Sequence, residues 1–458
     1  MRAVLHSRPV LLVAFAFAVM ADPVSSVAYA IEAALRALGG DLGLLLTTMG
    51  LVVAIIGVII VNYQQLVARY PQGGGAAAAA GEAFGEAWAF IPIGALIVDF
   101  VLTIAISVSA GASAIIAYLP GAAPWRLPLA LGLIVLVGGI TWFGHLGRAF
   151  FAVLTVLFIV FGVVVVIGAF TTGAHPTGTS TGQAPHSPPL AVALAFPVAM
   201  ALATGVEAPS SAIAQLGQLD DTGRRRFGRI TLWLTLGIVG GLTLGLTAAA
   251  VHLGAGVPAA ESTQLADLAQ VATSPPVFAL FQGATALLLL SAASSSFQAG
   301  PGLLKALARR AGASGKGVGI LPSFLGRTNT HHTPYWGVAV FVLISAGVTA
   351  GAGGRDQELV LFYAVAVFIS FLAGLVAMAH FSRRDRAHGW LAVNLFGALV
   401  VAFTLVVNLA RGEPLVSLAA SLIIAGVLHR VWVRAGRPRG IAHAAVEAEA
   451  PYSEPVED

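Results

Sequence analysis

Long apolar runs, separated by short polar segments, make up most of the chain. Each run has about 20 residues or more, enough for a helix to cross a hydrocarbon core of about 30 Å. The pattern therefore predicts an all-α polytopic membrane protein with about twelve transmembrane helices. The predicted spans are 10–37, 42–67, 87–119, 128–144, 148–171, 189–214, 229–254, 277–308, 335–351, 358–381, 390–410 and 414–432.

Composition agrees with this prediction. The 458 residues are 58% hydrophobic and 10% charged, whereas soluble domains carry about 25% charged residues. The chain has no cysteine, which excludes a disulfide framework and thiolate chemistry. The net charge of +4 does not indicate a nucleic-acid partner, because the placement of the basic residues has a simpler explanation. The expected partner is the lipid bilayer.

The basic residues sort to one side of the predicted spans. With the N-terminus in the cytoplasm, inside segments hold all but four of the 24 Lys and Arg, and the long outside segments 172–188 and 255–276 hold none. The four exceptions are Arg36, Arg126, Arg355 and Arg411. The positive-inside rule thus predicts an even number of spans in the cell (cytoplasmic) membrane, with both termini cytoplasmic.

The first span has a second interpretation. Residues 19–35, VMADPVSSVAYAIEAAL, follow a basic start and contain a small-residue pattern at Ala28 to Ala30, as a cleavable signal peptide does. Removing this span would invert every later loop relative to the charge bias, so we expect it to stay as a broken transmembrane helix. Segment 1–9 is then a cytoplasmic N-terminus, and 433–458 is predicted to be a disordered cytoplasmic tail.

Three carboxylates lie deep inside predicted spans: Asp22 in the first, Asp99 in the third and Glu207 in the sixth. A charged group at the centre of a membrane helix costs about 2.5–3.5 kcal/mol on insertion scales. No Lys or Arg lies deep in a span to pair with them. These carboxylates must therefore be protonated, share protons or hold cations.

Hydroxyl groups accompany two of the carboxylates. Asp99, Thr103 and Ser107 recur every four residues and so share one face of the third helix. On the first helix, Asp22, a serine and Tyr29 form a similar row. The pattern predicts a polar stripe on each of these two helices.

The sixth span contains a second predicted break. Its sequence ATGVEAPSS places Thr204, Gly205, Glu207 and Pro209 close together. Pro209 lacks an N–H and Gly205 loosens the backbone, so carbonyl oxygens lose their helical partners. Water or a cation would then have to satisfy these oxygens.

Two broken helices that each open a set of five spans are typical of transporters built from inverted repeats. The expected membrane domain is 10–432, with one repeat at about 10–171, the other at about 189–381, and two extra helices at 390–432. We expect no enzyme and no cofactor, because no nucleophile–base pair or metal-ligand cluster is apparent. Tyr363, in the tenth span, would by itself be interpreted as a packed aromatic.

Several sequence blocks resemble a known family. DPVSSVAYAIEAAL, YPQGGGAAAAAGEAFG, LIVDFVLTIAISVSAGASAI, ATGVEAPSSAI and LFYAVAVFISF are similar, in this order, to blocks of the KimA-type potassium importers of the amino acid–polyamine–organocation superfamily. The resemblance implies a LeuT-type fold of ten core helices plus two. It also implies potassium uptake driven by protons.

The resemblance assigns a cation site by position. The residues are Asp22, Tyr29, Asp99, Thr103, Ser107, Thr204, Glu207 and Tyr363, and Glu207 or Asp99 is the candidate proton carrier. Phe100 stands where the family commonly has Tyr, Pro23 replaces the usual Ala, and SAASSSF replaces an asparagine-containing block. The family's soluble C-terminal domain is expected to be absent.

Two alternatives remain. The first is a proton-coupled amino acid or polyamine permease of the same superfamily; Asp22 and Pro23 disfavour a substrate carboxylate, which needs backbone N–H donors, but not an organic cation. The second is a receptor or scaffold with kinked helices, for which unpaired carboxylates would be too costly. A homodimer is left open.

Overall fold

The structure is a computed structural model that describes residues 8–143, 148–309 and 319–444. Its α-helices, in chain order, are α1 Arg8–Val19, α2 Ala21–Ser25, α3 Val27–Ala37, α4 Leu42–Arg69, α5 Gly75–Phe84, α6 Phe90–Tyr118, α7 Arg126–Trp142, α8 Arg148–Thr171, α9 Pro188–Ala199, α10 Ala208–Ala212, α11 Asp221–Leu253, α12 Gln264–Ala272, α13 Pro275–Ala308, α14 Tyr335–Gly351, α15 Asp356–Arg384, α16 His388–Leu409 and α17 Leu415–Arg434.

The described residues include ten helical segments that are long and apolar enough to cross a membrane. Two further predicted spans have other forms. The first is divided among α1, α2 and α3, and the ninth is the shorter apolar helix α14. The prediction of an all-helical, multi-pass membrane protein is confirmed.

The sixth predicted span is interrupted at residues 204–207. A 3-10 turn, Met200–Ala203, ends at Thr204, whose backbone is extended with ψ 135°. Gly205 follows with φ +72°, a conformation that is costly for residues with a Cβ. Pro209 lies near the start of α10, where its missing N–H leaves no helical bond unmade. Of the two residues to which the predicted break was attributed, Gly205 interrupts the helix through its positive φ, whereas Pro209 lies after the break and does not cause it.

The first predicted span is interrupted much less. Met20 and Ser26, which separate its three helices, keep right-handed helical backbone angles of φ −72°, ψ −9° and φ −64°, ψ −23°. Pro23 has no N–H to donate to the Val19 carbonyl, but the backbone stays right-handed helical at Met20 and Ser26. The predicted break in the first span is therefore a local irregularity at Met20 and Ser26, not an unwound segment.

Helix α6 lies at the centre of the packing. It contacts α13 along much of its length and also packs against α15 and α17. Most of its residues are buried, including Asp99 and Thr103. This position makes α6 the element against which the broken helices and α15 can place side chains.

Two helices and one loop contact lie outside the predicted elements. Helix α5 follows the YPQGGG segment, and α12 lies within the outside segment 255–276. The two long outside segments meet, because Thr177 pairs with Ala255 and Thr179 pairs with Val257. These contacts join the connections on either side of α9–α11.

The described part of the C-terminal segment is ordered and packed. Both carboxylate oxygens of Glu86 accept backbone N–H groups, from Gly440 at 2.9 Å and from Ala442 at 3.1 Å. Ile441 is fully buried, and Ala442 lies against Gly81 of α5. The prediction of a disordered tail is wrong for 433–444, because these contacts fix the backbone; residues 445–458 lie outside the described residues.

Candidate functional site

The two interrupted helices touch each other at Gly205. A Cβ placed on Gly205 would lie 2.7 Å from Cγ of Asp22 and 2.9 Å from Cδ of Pro23. Carbon atoms that are not bonded to each other do not approach this closely, so only a glycine fits here. The carboxylate of Asp22 therefore packs directly onto the unwound backbone of the sixth span.

A serine hydroxyl links the same two regions. The Oγ atom of Ser26 lies 2.7 Å from the carbonyl oxygen of Pro23 and 3.0 Å from that of Leu202. Within the described ranges, Ser25, one residue earlier, donates to the Asp22 carbonyl alone, at 2.7 Å. These hydroxyls return hydrogen bonds to carbonyls near the proline, which explains how the first span stays close to helical.

Helices α6 and α15 supply a second part of the site. The hydroxyls of Thr103 and Tyr363 are hydrogen bonded at 2.8 Å, and the Tyr363 hydroxyl also lies beside the carboxylate of Asp99. Tyr363 is fully buried. This tyrosine is therefore positioned by polar groups rather than packed only as an aromatic ring.

Asp22 and Asp99 lie close enough to repel each other. One oxygen of each, Oδ1, is buried and has no hydrogen-bond partner among the described residues. No ion pair involves either carboxylate within the described ranges. Buried charges require a partner, so this pair of oxygens can accept a proton or a cation.

The remaining predicted residues surround this pair. The side chain of Tyr29 lies beside those of Thr204 and Asp22, and Glu207 lies near Tyr363. Ser107 is buried one turn from Thr103, but no hydrogen bond among the described residues connects it to the others. The structure brings together Asp22, Tyr29, Asp99, Thr103, Thr204, Glu207 and Tyr363.

Sequence reasoning missed one aromatic neighbour of the site. Tyr63 of α4 is buried, and its side chain lies near Glu207, Asp99 and Ser370. Its signal in the sequence is the polar run NYQQ inside an apolar span. That run also supplies Asn62 and Gln65, which are hydrogen bonded to Asn394 of α16.

A separate polar network lies beyond Tyr29 on the predicted outer side. Glu32 is paired with Arg36 at 2.8 Å and accepts the backbone N–H of Gln264 at 3.0 Å. Asp356 accepts from Ser113 at 2.8 Å. The hydrogen bond between Glu32 and Gln264 fixes the start of α12 over the outer end of α3.

Comparison with known proteins identifies the family. The model of the family described as amino acid permease matches residues 11–429. A curated relative, the potassium transporter KimA of Bacillus subtilis (strain 168), is 29% identical over 365 residues, which cover 75% of this chain and 56% of that protein. The chain thus spans little more than half the length of this relative.

A crystal structure of a manganese transporter mutant of Eremococcus coleocola aligns with 97% of both chains, with 13% identity and a TM-score of 0.46. The family match covers nearly all of the membrane-spanning part. The chain belongs to the amino acid permease family and is a multi-pass secondary transporter of the amino acid–polyamine–organocation superfamily.

Proposed function

We propose that this transporter takes up potassium or a similar monovalent cation together with protons, using the site between the two interrupted helices. The observation that carries the proposal is the convergence of Asp22 and Asp99, whose buried Oδ1 atoms have no hydrogen-bond partner among the described residues. A bound cation would supply the charge that these side chains lack. The 29% identity to a potassium transporter supports the same substrate.

Oxygen ligands other than the carboxylates support a cation. The carbonyl groups of Thr204 and Val206 accept no hydrogen bond from the described residues, because the helix is interrupted there. The hydroxyls of Thr103 and Tyr363 lie beside Asp99. Carbonyl and hydroxyl oxygens of this kind replace the hydration shell of potassium in other cation sites.

The coupled proton is assigned to a carboxylate of the same cluster, with Asp99 and Glu207 as the candidates. Two carboxylates that repel each other in a membrane interior hold a proton more readily than an isolated one. One carboxylate of the cluster would carry the proton while the others hold the cation, so that both are bound in the same inward-moving state. Release of both on the cytoplasmic side would then couple the two uptake fluxes.

Amino acids fit this site less well than cations do. A substrate carboxylate needs unoccupied backbone N–H groups at the breaks. Near the breaks, the N–H groups of Val24, Val206 and Ala208 already donate, to Met20, Ala203 and Gly205. The carboxylates of Asp22 and Asp99 would in addition repel a substrate carboxylate. A polyamine, which presents only cationic groups, remains the second candidate because the carboxylates of Asp22 and Asp99 would bind it.

The proposed architecture follows the breaks. Residues of about 10–171 and about 189–381 would form two inverted repeats of five spans each, with α16 and α17 as the two extra helices. The contact between the interrupted spans at Gly205 supports it, as does the packing of α6 along α13, which are the third members of the two sets. Both termini are placed in the cytoplasm by the charge bias.

Uptake of rubidium into liposomes under an imposed pH gradient tests the proposal. We expect saturable uptake that is abolished in Asp22→Asn and in Asp99→Asn. Glu261→Gln, which changes an exposed carboxylate in the outside segment, is the matched control and should transport as the wild type does. Folding of each variant is checked by size-exclusion chromatography and thermal unfolding.

Absence of rubidium flux in a folded wild-type protein that takes up spermidine or putrescine would overturn potassium in favour of a polyamine. Uptake of an amino acid without rubidium flux would contradict the cationic site altogether. Rubidium uptake that does not respond to the pH gradient would support cation transport but contradict its coupling to protons.

A further inference from the structure

A cavity of about 860 Å³ lies between α6, α14, α15 and α17, apart from the candidate cation site. Its walls are almost entirely apolar. Residues at its edge, such as Val416 and Ile344, are 66% and 49% exposed, so the cavity opens onto the lipid-facing side of the molecule. Its volume lies within the range of about 300–1,000 Å³ that is common for ligand cavities.

The cavity has the shape of a groove that runs along the helices. On α15 its lining extends from Arg355 to Phe362, and on α17 from Val416 to Ile424, which corresponds to about 10–12 Å along each axis. Half of a hydrocarbon core is about 15 Å thick. The groove therefore reaches from the predicted outer surface toward the middle of the bilayer, as an acyl chain does.

Two charged residues, Arg355 and Glu358, lie at the polar end of the groove. Both are exposed, and no ion pair in the described part of the chain joins them to each other or to a third residue. An arginine binds phosphate oxygens by charge-assisted hydrogen bonds. A carboxylate at the same level binds a primary ammonium group in the same way.

We propose that the groove binds one phospholipid of the outer leaflet, with an acyl chain along α6 and α15 and an ethanolamine headgroup at the polar end. The phosphate would contact Arg355 and the ammonium group would contact Glu358. One positive and one negative side chain match a zwitterionic headgroup better than an anionic one. A phosphatidylglycerol would place the same phosphate at Arg355 but would offer no ammonium group to Glu358.

The groove shares its inner wall with the candidate cation site. Val98 and Leu102 line the groove on either side of Asp99 in the sequence, and Phe362 lines it beside Tyr363. Since Tyr363 is hydrogen bonded to Thr103 across α6 and α15, a chain that fills the groove supports this pair of helices. Lipid bound here therefore stabilises the protein whatever the transported substrate is.

The test compares lipid retention and thermal stability in purified protein. Full-length protein is extracted in mild detergent, exposed to an equimolar mixture of phosphatidylethanolamine and phosphatidylglycerol, and analysed by native mass spectrometry. We expect one retained phosphatidylethanolamine and a raised melting temperature. Ala420→Trp, which fills the groove, should reduce the retention at least several-fold.

Milder variants and matched controls accompany this change. Arg355→Gln and Glu358→Gln alter exposed side chains and leave the groove open; each should weaken retention, and Glu358→Gln should shift the preference toward phosphatidylglycerol. Leu399→Trp changes a residue that is 69% exposed on α16, and Arg411→Gln removes another outside charge. Neither control should alter retention.

Equal retention in the wild type, Ala420→Trp and Arg355→Gln would overturn the proposal. Retention of phosphatidylglycerol in preference to phosphatidylethanolamine by the wild type would also overturn it. A wild-type dimer that Ala420→Trp converts to a monomer, with no retained lipid, would assign the groove to a second copy of the chain instead.

Discussion

The two interrupted helices of this transporter solve the same problem in different ways. In the first span, Met20 and Ser26 keep helical backbone angles, and the hydroxyls of Ser25 and Ser26 donate to carbonyls around Pro23. In the sixth span, the backbone turns at Thr204 and passes through the positive φ of Gly205. The first region is a repaired helix and the second is an unwound one.

The two regions therefore offer different groups to a ligand. A nearly helical segment holds its side chains at fixed positions, so the first span can present Asp22 and Tyr29 as anchored groups. An unwound segment exposes main-chain oxygens, which under the proposed function would ligate the cation. Because the two regions are in contact at Gly205, we expect a substitution in one of them to displace atoms of the other.

The largest expected effect comes from Gly205→Ala, which attacks the contact between the two regions. Alanine at this positive φ costs about 1–2 kcal/mol, and the overlap of its methyl group with Asp22 and Pro23 adds about 1–3 kcal/mol of overpacking. We expect a lower melting temperature and loss of rubidium uptake. The melting temperature is measured on protein in detergent, and rubidium uptake on protein in liposomes.

Gly237→Ala is the control for this substitution. A Cβ at Gly237 meets no atom within 4 Å, so this variant should keep its uptake and lose no stability. If Gly205→Ala behaves as Gly237→Ala does, the close packing of the two regions is contradicted.

A smaller effect is expected from Tyr363→Phe and Thr103→Val, which act on helices beside the breaks. Each removes one partner of the 2.8 Å hydrogen bond and leaves the other buried, at a cost of about 1–3 kcal/mol. Because Tyr363 also contacts Asp99, Tyr363→Phe should raise the KM for rubidium more than Thr103→Val does.

The double variant Tyr363→Phe/Thr103→Val measures the coupling between the two hydroxyls. Its loss of stability should be smaller than the sum of the single losses, by about 0.5 kcal/mol or more. Strict additivity would show that the two hydroxyls do not stabilise each other.

Ser26→Ala tests the link between the two interrupted spans and should lower the free energy of unfolding by about 1 kcal/mol. It removes the only serine hydroxyl in the described residues that reaches from the first interrupted span to the Leu202 carbonyl. Ser25→Ala, whose hydroxyl contacts its own helix alone, is the matched control and should have the weaker effect on uptake. Equal effects of the two variants would mean that the link to Leu202 does not matter.

Much of this site could be predicted because its chemistry is unusual for a membrane. Asp22, Asp99 and Glu207 stand out in apolar spans, and Gly205 and Pro209 on either side of Glu207 marked the sixth break. The relative severity of the two breaks could not be predicted, since proline is the stronger helix breaker in isolation. Local hydrogen bonds from Ser25 and Ser26 in the first span, and the packing of Asp22 and Pro23 onto Gly205 in the sixth, reversed that order.

Other features depend on contacts between distant segments. The bond between Thr103 and Tyr363 joins spans separated by 260 residues, and neither span alone shows which face meets the other. Helix α5 was missed because GGGAAAAAGEA has no apolar–polar period in sequence. The order of 440–444 depends on Glu86, which nothing near the tail indicates.

The smallest effect is expected from Glu82→Gln, which lies away from both breaks. Burial alone would raise the pKa of Glu82, but hydrogen bonds from Arg69 and Tyr70 outweigh it and lower the pKa below 4.5. The interaction thus stabilises the protein above pH 4.5 and is lost as the pH falls through the lowered pKa.

Thermal unfolding of the wild type and Glu82→Gln across this pH range measures the effect. The two melting temperatures should differ slightly at neutral pH and converge in acid, because the carboxylate is half-exposed and its ion pair is screened by solvent. A difference that grows in acid would contradict the assignment.

The hydrogen bonds that Glu86 accepts from Gly440 and Ala442 attach the end of the described chain to the rest of the molecule. A load applied to the polypeptide after residue 444, by a fused reporter or a surface tether, would be borne first by these two hydrogen bonds and by the buried Ile441. It would then pass to the segment that begins the third span, the one that carries Asp99. A tag at this end is therefore connected to the helix that carries Asp99, and its linker length should be treated as an experimental variable.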